Sequence, residues 1–405
     1  MLMTILVFLI ILSVLVLIHE LGHFFVAKKL GVKVEEFGFG FPPRALSFKK
    51  GETIYSINWL PIGGFVKLYG EDEAGGGQFK VQSFDKAQDK SSKFKVDDRQ
   101  RAFFSRSVWQ RAYIVVAGVI MNAILASIIF YIFLFISGFK TELPLISPHN
   151  FFGVNQKNVS DVVISGIAKD SPAEKAGLKA ETKIISINRQ KISTSNEFIE
   201  IVNKNKGKEI VVEWRDLRTE IIHKTHVIPR LAPPKDQGAL GVALFSISTA
   251  VLDYETPIQK IFSGVTHPIN LMSYNFDVMG KLIKISFEKK TTEPISQGIA
   301  GPIGIASVTG SILEIQNLKE KILALLNLTG ILSISLAFFN ILPIPALDGG
   351  RLFFILIEGF TGRKVNQKIE SFAHSIGMVL LLGLMALITF KDIQKLLFGF
   401  FSLSP

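Results

Sequence analysis

The stretch LVLIHELGHFFVAKK at residues 15–29 places two histidines and a glutamate near the end of an unbroken apolar run. The run is long enough to be a transmembrane helix, since a helix needs about 20 apolar residues to cross a bilayer. An ionisable side chain at the centre of such a helix costs roughly 2.5–3.5 kcal/mol on insertion scales. A spanning helix that carries three of them within five positions therefore indicates a functional site at membrane depth.

The whole chain has the composition of a multi-span membrane protein. Of its 405 residues 48% are hydrophobic, and the mean hydropathy is +0.37. The stretches that approach the length of a spanning helix are Leu2–Ala27, Ala112–Phe139, Ile322–Leu347 and Phe372–Phe390. A cleavable signal peptide is a poorer interpretation of the first stretch, because no basic residue precedes it and no small-x-small cleavage site follows it. We therefore expect a polytopic α-helical membrane protein with about four transmembrane helices.

The charge balance favours lipid over nucleic acid as a partner. The formal net charge is +11, but the basic residues flank the apolar stretches or are scattered through a mixed-charge region, with no basic block interleaved with aromatic residues. The chain contains no cysteine, which excludes disulfides and thiol chemistry. We expect the lipid bilayer, and no nucleic acid, as a partner.

Basic residues beside the apolar stretches predict the orientation. The basic flanks are Lys28, Lys29 and Lys33 after the first stretch, Arg101, Arg106 and Arg111 before the second, and Arg351, Arg363, Lys364 and Lys368 between the last two. The positive-inside rule then places residues 28–111 and 350–371 in the cytoplasm. Both termini and residues 140–321 are expected outside.

Apolar and polar patterning divides the chain into eight regions. Alternation over residues 32–70 predicts three or four short antiparallel strands that form a small sheet at the membrane surface. Between Val159 and Leu231, strands and two short helices follow one another in an order that resembles a circularly permuted bacterial PDZ domain. The regions are 1–31, the first transmembrane helix with the histidine motif; 32–70, the membrane-associated β-sheet; 71–107, a cytoplasmic loop; 108–139, the second transmembrane helix; 152–232, an α/β PDZ-like extracytoplasmic domain; 250–321, an amphipathic extracytoplasmic region; 322–349, the third transmembrane segment; and 372–391, the fourth transmembrane helix.

The His-Glu-x-x-His spacing predicts a metal site. On a helix, His19 and His23 project from one face about one turn apart, so that both imidazoles can reach one zinc ion at roughly 2.0–2.1 Å. Glu20 lies on an adjacent part of the same helix surface, where it can take a proton from a zinc-bound water whose pKa the metal lowers to about 7. The motif also arises by chance in soluble helices. Inside an apolar run that explanation is poorer, because metal ligation most directly compensates the buried ionisable groups.

A zinc hydrolase of this kind needs a third protein ligand. No H-x-x-G-x-x-H continuation follows His23, which excludes the metzincin pattern. A candidate lies in FNILPIPALDGG at residues 339–350, where two prolines interrupt the helix and Asp348 is expected to project from a non-helical end. By itself, this stretch could equally be the simple end of the third span. The predicted orientation favours the ligand, because it places the histidines and Asp348 toward the same cytoplasmic leaflet.

Taken together, these motifs resemble the bacterial site-2 protease family of intramembrane zinc metalloproteases, the RseP type. The matching features are HELGH, AGVIMN in the second stretch, the PDZ-like insertion, GPIGIA at residues 301–306 and N-x-x-P-x-P-x-L-D-G. The resemblance implies that His19, His23 and Asp348 bind Zn²⁺ and that Glu20 is the general base. It also implies that Asn340 helps to hold the substrate backbone or the transition state, and that the chain is a multi-pass protein of the bacterial cytoplasmic (inner) membrane.

The expected reaction is hydrolysis of a peptide bond within or near the transmembrane segment of single-span membrane proteins already shortened on their outer side. A substrate helix must unwind to expose its carbonyl, and its freed backbone groups could then pair as an edge strand with the sheet of residues 32–70. The PDZ-like domain is expected to exclude intact ectodomains and to contact trimmed substrate ends. The family suggests anti-sigma factors and remnant signal peptides as substrates, and the sequence selects neither.

Two other functions compete with proteolysis. A metal-binding transporter or metal sensor would need further ionisable groups in the other spans. His374 in the fourth stretch is such a residue, but its position predicts a solvated helix end. A non-catalytic PDZ scaffold would have no need of the intact set formed by His19, Glu20, His23 and Asp348.

Overall fold

The computed structural model describes residues 2–71, 99–217, 221–291 and 300–401. The chain divides into two compact units, one made of Met1–Ile136 and Phe262–Pro405 and the other of Ser137–Ile261. The first unit carries the long apolar helices and a small sheet, and the second is built on a larger sheet.

The described residues contain nine α-helices. They are α1 (Leu2–Lys29), α2 (Val108–Ile136), α3 (Pro172–Lys175), α4 (Ser195–Lys204), α5 (Pro257–Lys289), α6 (Pro302–Glu314), α7 (Leu318–Ile341), α8 (Asp348–Thr361) and α9 (Gln367–Phe401). Helices α1, α2 and α7 and residues Lys368–Gln394 of α9 are long and apolar enough to cross a bilayer. The number of candidate spans thus agrees with the sequence prediction.

One boundary differs from the prediction. The third span was expected to run through residues 322–349, but α7 ends at Ile341 and a new helix, α8, begins at Asp348. Pro343 and Pro345 have no backbone N–H to donate and cannot continue the helix. Asp348 therefore lies in the first turn of a helix rather than at a frayed, non-helical end.

Helix α2 shows how the spans are arranged. Ile120, Ile124 and Ile128 form an exposed apolar stripe, whereas Asn122 and Ala126 are fully buried against neighbouring helices. Polar groups at membrane depth need partners inside the protein, and apolar side chains can face lipid without cost. The stripe therefore marks the lipid-facing side of α2.

The first unit contains a small antiparallel sheet made from two long strands, β1 (Val34–Lys50) and β2 (Thr53–Leu68). Both strands bend, so that residues 34–39 pair with 64–68 on one side and with 54–57 on the other, and residues 44–50 pair with 53–58. Four paired segments result, where the sequence predicted three or four separate strands. Gly40 lies at the bend with φ +80°, and a Cβ there would approach the Leu60 carbonyl oxygen to 2.3 Å.

The sheet lies against α1 through a buried apolar cluster. Ala27 of α1, Val34 of β1, and Val66 and Leu68 of β2 contribute to it, together with Phe103, which is 1% exposed. Residues 72–98 of the predicted cytoplasmic loop lie outside the described residues. Phe103–Ser105 at its far end form a 3-10 turn that returns the chain to this cluster.

The second unit is built on a sheet of seven strands. They are β3 (Lys140–Leu145), β4 (Asn155–Ile167), β5 (Thr182–Ile187), β6 (Gln190–Lys191), β7 (Ile210–Asp216), β8 (Ile222–Val227) and β9 (Val242–Asp253), in the order β3-β9-β4-β5-β7-β8 with β6 paired to β5. Ser171 caps α3 by accepting the Glu174 N–H, and Thr194 and Glu197 form a capping box at α4.

The sheet extends beyond the PDZ-like boundaries of 152–232 expected from the sequence. Strand β9 pairs with β4 along its whole length and with β3 over Ser248–Asp253. Local patterning does not show which strands pair, so β3 was assigned to no region and only residues 250–253 of β9 were assigned to one, the region 250–321. The region expected at 250–321 accordingly begins with the end of β9, continues with α5 and α6 and includes the first turn of α7.

Candidate metal centre

The histidines of α1 and the aspartate of α8 meet in the first unit, although they are far apart in sequence. The distance from His19 Nε2 to Asp348 Oδ2 is 2.9 Å across a separation of 329 positions. His23 Nε2 lies 3.2 Å from His19 Nε2 and 3.3 Å from Asp348 Oδ2. The structure thus brings together the three side chains that the sequence indicated as ligands.

This arrangement fits a zinc ion. Ligands at about 2.0–2.1 Å from a tetrahedral ion lie about 3.3 Å from one another, and the three separations here are 2.9, 3.2 and 3.3 Å. Two imidazole nitrogens and one carboxylate oxygen are a common donor set for catalytic zinc, which leaves the fourth position open. Both histidines are buried, at 7% and 8% exposure.

A tight loop between α7 and α8 presents Asp348. Ala346 in this loop has a left-handed backbone with φ +79°, and its N–H donates to His374 Nδ1 of α9 at 2.9 Å. A Cβ at Gly349 would lie 2.0 Å from the Leu342 carbonyl oxygen, so only glycine allows the loop to fold back so closely. The Asp-Gly-Gly sequence is therefore required by this loop.

The prediction that His374 is a solvated helix end is wrong. Its exposure is 7%, and it packs beside Phe354 of α8 with the ring centroids 5.7 Å apart. Position along the fourth stretch could not reveal this, because the loop and α8 that cover His374 come from a different part of the chain.

A hydrogen bond on Nδ1, the ring nitrogen away from the cluster, orients the imidazole of His23. Its Nδ1 lies 2.8 Å from the Ile114 carbonyl oxygen of α2, which accepts its N–H and leaves Nε2 free to face Asp348. Such a hydrogen bond on the far nitrogen is the usual way in which a metal-binding histidine is held in one tautomer. Gly118 of α2 leaves room for both rings, because a Cβ there would lie 2.5 Å from His23 Nε2.

Glu20 faces the same cavity but lies outside the cluster of His19, His23 and Asp348. Its Oε2 accepts the Val66 N–H of β2 at 3.0 Å, on the outer edge of the sheet. The cavity has a volume of about 220 Å³ and is lined among others by His19, Glu20, Asn122, Asn340, Leu347 and Asp348. Asn340 Nδ2 lies 3.5 Å from His19 Nε2. All five residues that the sequence indicated for the site thus surround or adjoin one cavity.

Two ion pairs fix α8, the helix that begins with Asp348. Arg351 Nη1 donates to Glu71 Oε1, and Arg111 of α2 donates to Glu358 Oε1 at 2.6 Å. The side chains of the Glu71–Arg351 pair are only 9% and 12% exposed. Charged groups as buried as these need partners, so the pairs hold α8 against the sheet and against α2.

Asn122 and Arg351 were not predicted as residues of the site. Asn122 is fully buried beside His19. The signal for it was available, since an asparagine in the middle of an apolar span is as anomalous as the histidines of α1. For Arg351 there was no comparable signal, because a basic residue after a span is ordinary and its partner Glu71 is distant in sequence.

Comparison with protein families identifies the chain. The model of peptidase family M50 matches residues 7–384, which include every residue of the site. The chain belongs to peptidase family M50. This confirms the family resemblance, and the protein is an intramembrane zinc metalloprotease of the site-2 type.

Named relatives align with this M50 peptidase over most of their length. A Clostridium acetobutylicum protein provisionally named a zinc metalloprotease is 32% identical over 382 residues, covering 94% of each chain. The zinc metalloprotease RasP of Bacillus licheniformis is 29% identical over 454 residues, or 97% of this chain and 99% of that one. The regulator of sigma-W protease RasP of Bacillus subtilis is 29% identical over 453 residues, with the same coverage.

A solved PDZ domain of the SdrC-like protein of Listeria monocytogenes covers 24% of this chain and 93% of its own, at 18% identity. The TM-score is 0.18, which is too low to support an argument about fold.

Proposed function

We propose that His19, His23 and Asp348 hold the catalytic zinc and that Glu20 is the general base for peptide hydrolysis at this centre. The observation that carries the proposal is the convergence of three ligand atoms, from α1 and α8, to within 3.3 Å of one another. When bound, zinc lowers the pKa of a coordinated water to about 7 and polarises a carbonyl group.

Glu20 is suited to move the proton. It directly follows His19 on α1 and lines the same cavity, where its carboxylate can accept a proton from the attacking water. It then returns the proton to the leaving amine, which completes hydrolysis without a covalent intermediate. Asn340 of α7 lines the same cavity, with its Nδ2 3.5 Å from His19 Nε2, and we propose that its amide N–H binds a substrate carbonyl.

The small sheet is suited to hold an unwound substrate. Segment 64–68 pairs with residues 34–39 on one side, and on its other side the Val66 N–H is directed to Glu20. A substrate strand added at this edge would therefore run past the proposed base. Strand addition would also satisfy the backbone groups that become exposed when a transmembrane helix unwinds.

We further propose that the substrates are single-span membrane proteins shortened beforehand on their outer side. The basic flanks place the site near the cytoplasmic leaflet of a bacterial inner membrane, with both termini and the second unit outside. The name of the B. subtilis relative links that protein to sigma-W. We extend this to membrane-anchored regulators of transcription, such as anti-sigma factors, as a substrate class for this chain.

We propose that trimmed substrate ends bind the second unit at the edge of β9. Strand β9 has β4 along one edge, while β3 covers the other edge only over Ser248–Asp253. In the described part of the chain, the edge from Val242 to Ile247 pairs with no further strand on that side. It lies beside the start of α4, where Ser195 Oγ is 2.9 Å from Ser246 Oγ. A peptide end could add to this edge in the manner of β-strand augmentation.

The test is cleavage of a tagged single-span substrate by the purified full-length protein, together with metal analysis. Glu20→Gln should retain one bound zinc and lose at least about 100-fold in cleavage rate, the usual contribution of a general base. Asp348→Ala should lose both zinc and cleavage. Glu35→Gln is the matched control, because Glu35 pairs with Lys67 and does not line the cavity.

Two results would overturn these assignments. Full cleavage by zinc-loaded Glu20→Gln would remove Glu20 from the mechanism, and unchanged zinc affinity in Asp348→Ala would remove Asp348 from the ligands. The substrate class is tested by adding a folded outer domain to the same substrate. Cleavage should then fall sharply, and equal rates for the short and long forms would contradict the requirement for prior trimming.

A further inference from the structure

Asn122 of α2 carries a buried polar atom that needs an explanation. The residue is fully buried, and its Oδ1 has no hydrogen-bond partner among the described residues. Its Nδ2 lies 3.4 Å from His19 Nδ1, the ring nitrogen that faces away from Asp348. A buried acceptor without a donor costs about 1–3 kcal/mol, so this arrangement is unfavourable as it stands.

The tautomer of His19 makes the arrangement more unfavourable still. His19 Nε2 points at Asp348 Oδ2 and His23 Nε2; to bind a metal there, it must keep its lone pair free. A neutral imidazole then carries its proton on Nδ1, which becomes a donor. The amide nitrogen of Asn122 is also a donor, so two N–H groups would face each other at 3.4 Å.

Turning the amide of Asn122 over gives Oδ1 a donor and removes the contact between two N–H groups, while Nδ2 takes the position that Oδ1 occupied. The two ends of an asparagine amide have nearly the same shape, so the turn requires no other movement. Oδ1 then takes the place of Nδ2 beside His19 and accepts the Nδ1–H. His23 already has the equivalent support, since its Nδ1–H donates to the Ile114 carbonyl oxygen at 2.8 Å.

The backbone of Asn122 is held where this role requires it. Ser333 of α7 donates its hydroxyl to the Asn122 carbonyl oxygen at 2.8 Å. Gly118, one turn earlier on α2, lets both histidine rings approach the helix. The amide is therefore presented to His19 by a fixed segment of α2.

We propose that Asn122 is a positioning residue that holds His19 in its Nδ1–H tautomer through Oδ1, so that Nε2 is available to the metal. The inference rests on the proposed use of His19 as a ligand. Partners of this kind on the far nitrogen of a histidine typically contribute 10- to 100-fold to metal affinity. Asn122 would not bind the metal itself and would act on it through His19.

The test measures zinc affinity of the full-length protein in detergent by competition with a chelator. Asn122→Leu has a similar size but no acceptor, and its affinity should fall by about 10- to 100-fold. Asn122→Asp keeps an oxygen at the same place and should stay within about threefold of wild type. Ser127→Ala is the matched control, because it removes a side-chain hydrogen bond to the Ala123 carbonyl oxygen on the same helix and leaves Asn122 and His19 in place.

A second readout separates positioning from general damage to the fold. The NMR shifts of Nδ1 and its proton in ¹⁵N-histidine-labelled, zinc-loaded protein should show a hydrogen-bonded Nδ1–H at His19 in wild type and Asn122→Asp, with the signal assigned by its loss in His19→Ala. In Asn122→Leu, metal binding through Nε2 keeps the proton on Nδ1, but the shifts should move to those of an N–H without an acceptor, while the other histidine signals stay unchanged.

The outcomes separate this inference from the proposed function. If Asn122→Leu binds zinc within twofold of wild type, or if Ser127→Ala weakens binding equally, Asn122 is not a positioning residue. The ligand assignment then still stands, provided that His19→Ala abolishes binding. If His19→Ala binds zinc as wild type does, both the ligand assignment and this inference fail.

Discussion

Replacing Arg351 by methionine tests whether α8 is held in place by its buried ion pair. Arg351 lies one turn after Asp348 on α8, and its guanidinium donates to Glu71 at the end of the small sheet. The same guanidinium lies 5.0 Å from the ring centroid of Phe103. Methionine preserves most of the apolar volume of the side chain but removes the charge, so the substitution leaves the Glu71 carboxylate uncompensated.

The expected cost follows from burial. The side chains of Glu71 and Arg351 are 9% and 12% exposed, so solvent cannot replace the missing partner. Removing one member of a buried pair typically costs about 3–5 kcal/mol, and the lost contact with Phe103 adds about 0.5–1 kcal/mol. We therefore expect Arg351→Met to lower the free energy of unfolding by about 4 kcal/mol. Because α8 begins with Asp348, zinc affinity should also fall, by about tenfold or more.

The assay is denaturant unfolding of the purified protein in detergent, combined with chelator competition for zinc. Adding Glu71→Gln to Arg351→Met should restore part of the loss, because the unpaired charge is gone, with a coupling of at least about 2 kcal/mol between the two sites. Lys284→Met is the control, since Lys284 faces Glu288 at 4.0 Å with both side chains largely exposed, and it should cost less than about 0.5 kcal/mol. Strictly additive effects, or a cost below about 1 kcal/mol for Arg351→Met, would refute the reasoning.

Two further changes test the packing around the ligands and the rim of the small sheet. Gly118→Ala would put a Cβ 2.5 Å from His23 Nε2, so zinc affinity, measured by chelator competition, should fall at least about tenfold as the histidine rings shift. Gly383→Ala is the control, because a Cβ there meets open space, and it should leave zinc affinity unchanged. Equal zinc affinities for the two variants would contradict the close packing at Gly118. The hydrogen bond from Arg101 lowers the pKa of Glu52 from 4.5 to about 2, so the pair stabilises the fold above pH 4.5 and is lost as the pH falls toward 2. At neutral pH, Glu52→Gln should therefore lower the free energy of unfolding by about 1 kcal/mol, after allowance for solvent screening of this partly exposed pair. This difference from wild type should shrink below pH 4.5. A difference in the free energy of unfolding that does not change with pH would count against the ion pair.

The spans and the ligands on α1 could be predicted because the relevant physics is local. A run of apolar residues long enough for a bilayer predicts a helix wherever it occurs. Four-residue spacing places His19 and His23 on one face of any helix. Asp348 was recognisable as a candidate for a related reason, since a carboxylate beside a broken span is costly without a partner. The combination of these motifs also pointed to the family.

The parts that escaped prediction depend on contacts between distant segments. His374 was expected to be solvated because only its own stretch was considered, but it is buried where the loop before α8 folds onto α9. The sheet of the second unit also extends beyond the predicted PDZ-like region, because β3 and β9 join it from outside those boundaries. Local patterning shows that a segment is a strand or a helix, but not which other strand or helix it will pair with or pack against.

The amino-acid sequence by itself determined that this protein spans the membrane and that it carries a histidine motif costly enough to require a metal. Only the tertiary structure decided that Asp348 reaches the two imidazoles, that Asn122 contacts the far side of the His19 ring, and that Arg351 and Glu71 anchor the helix that begins with Asp348. The physical reason is that hydrophobicity and helical periodicity act over a few residues of one segment. Metal ligation, tautomer control and ion pairing join groups that are adjacent only after the chain has folded.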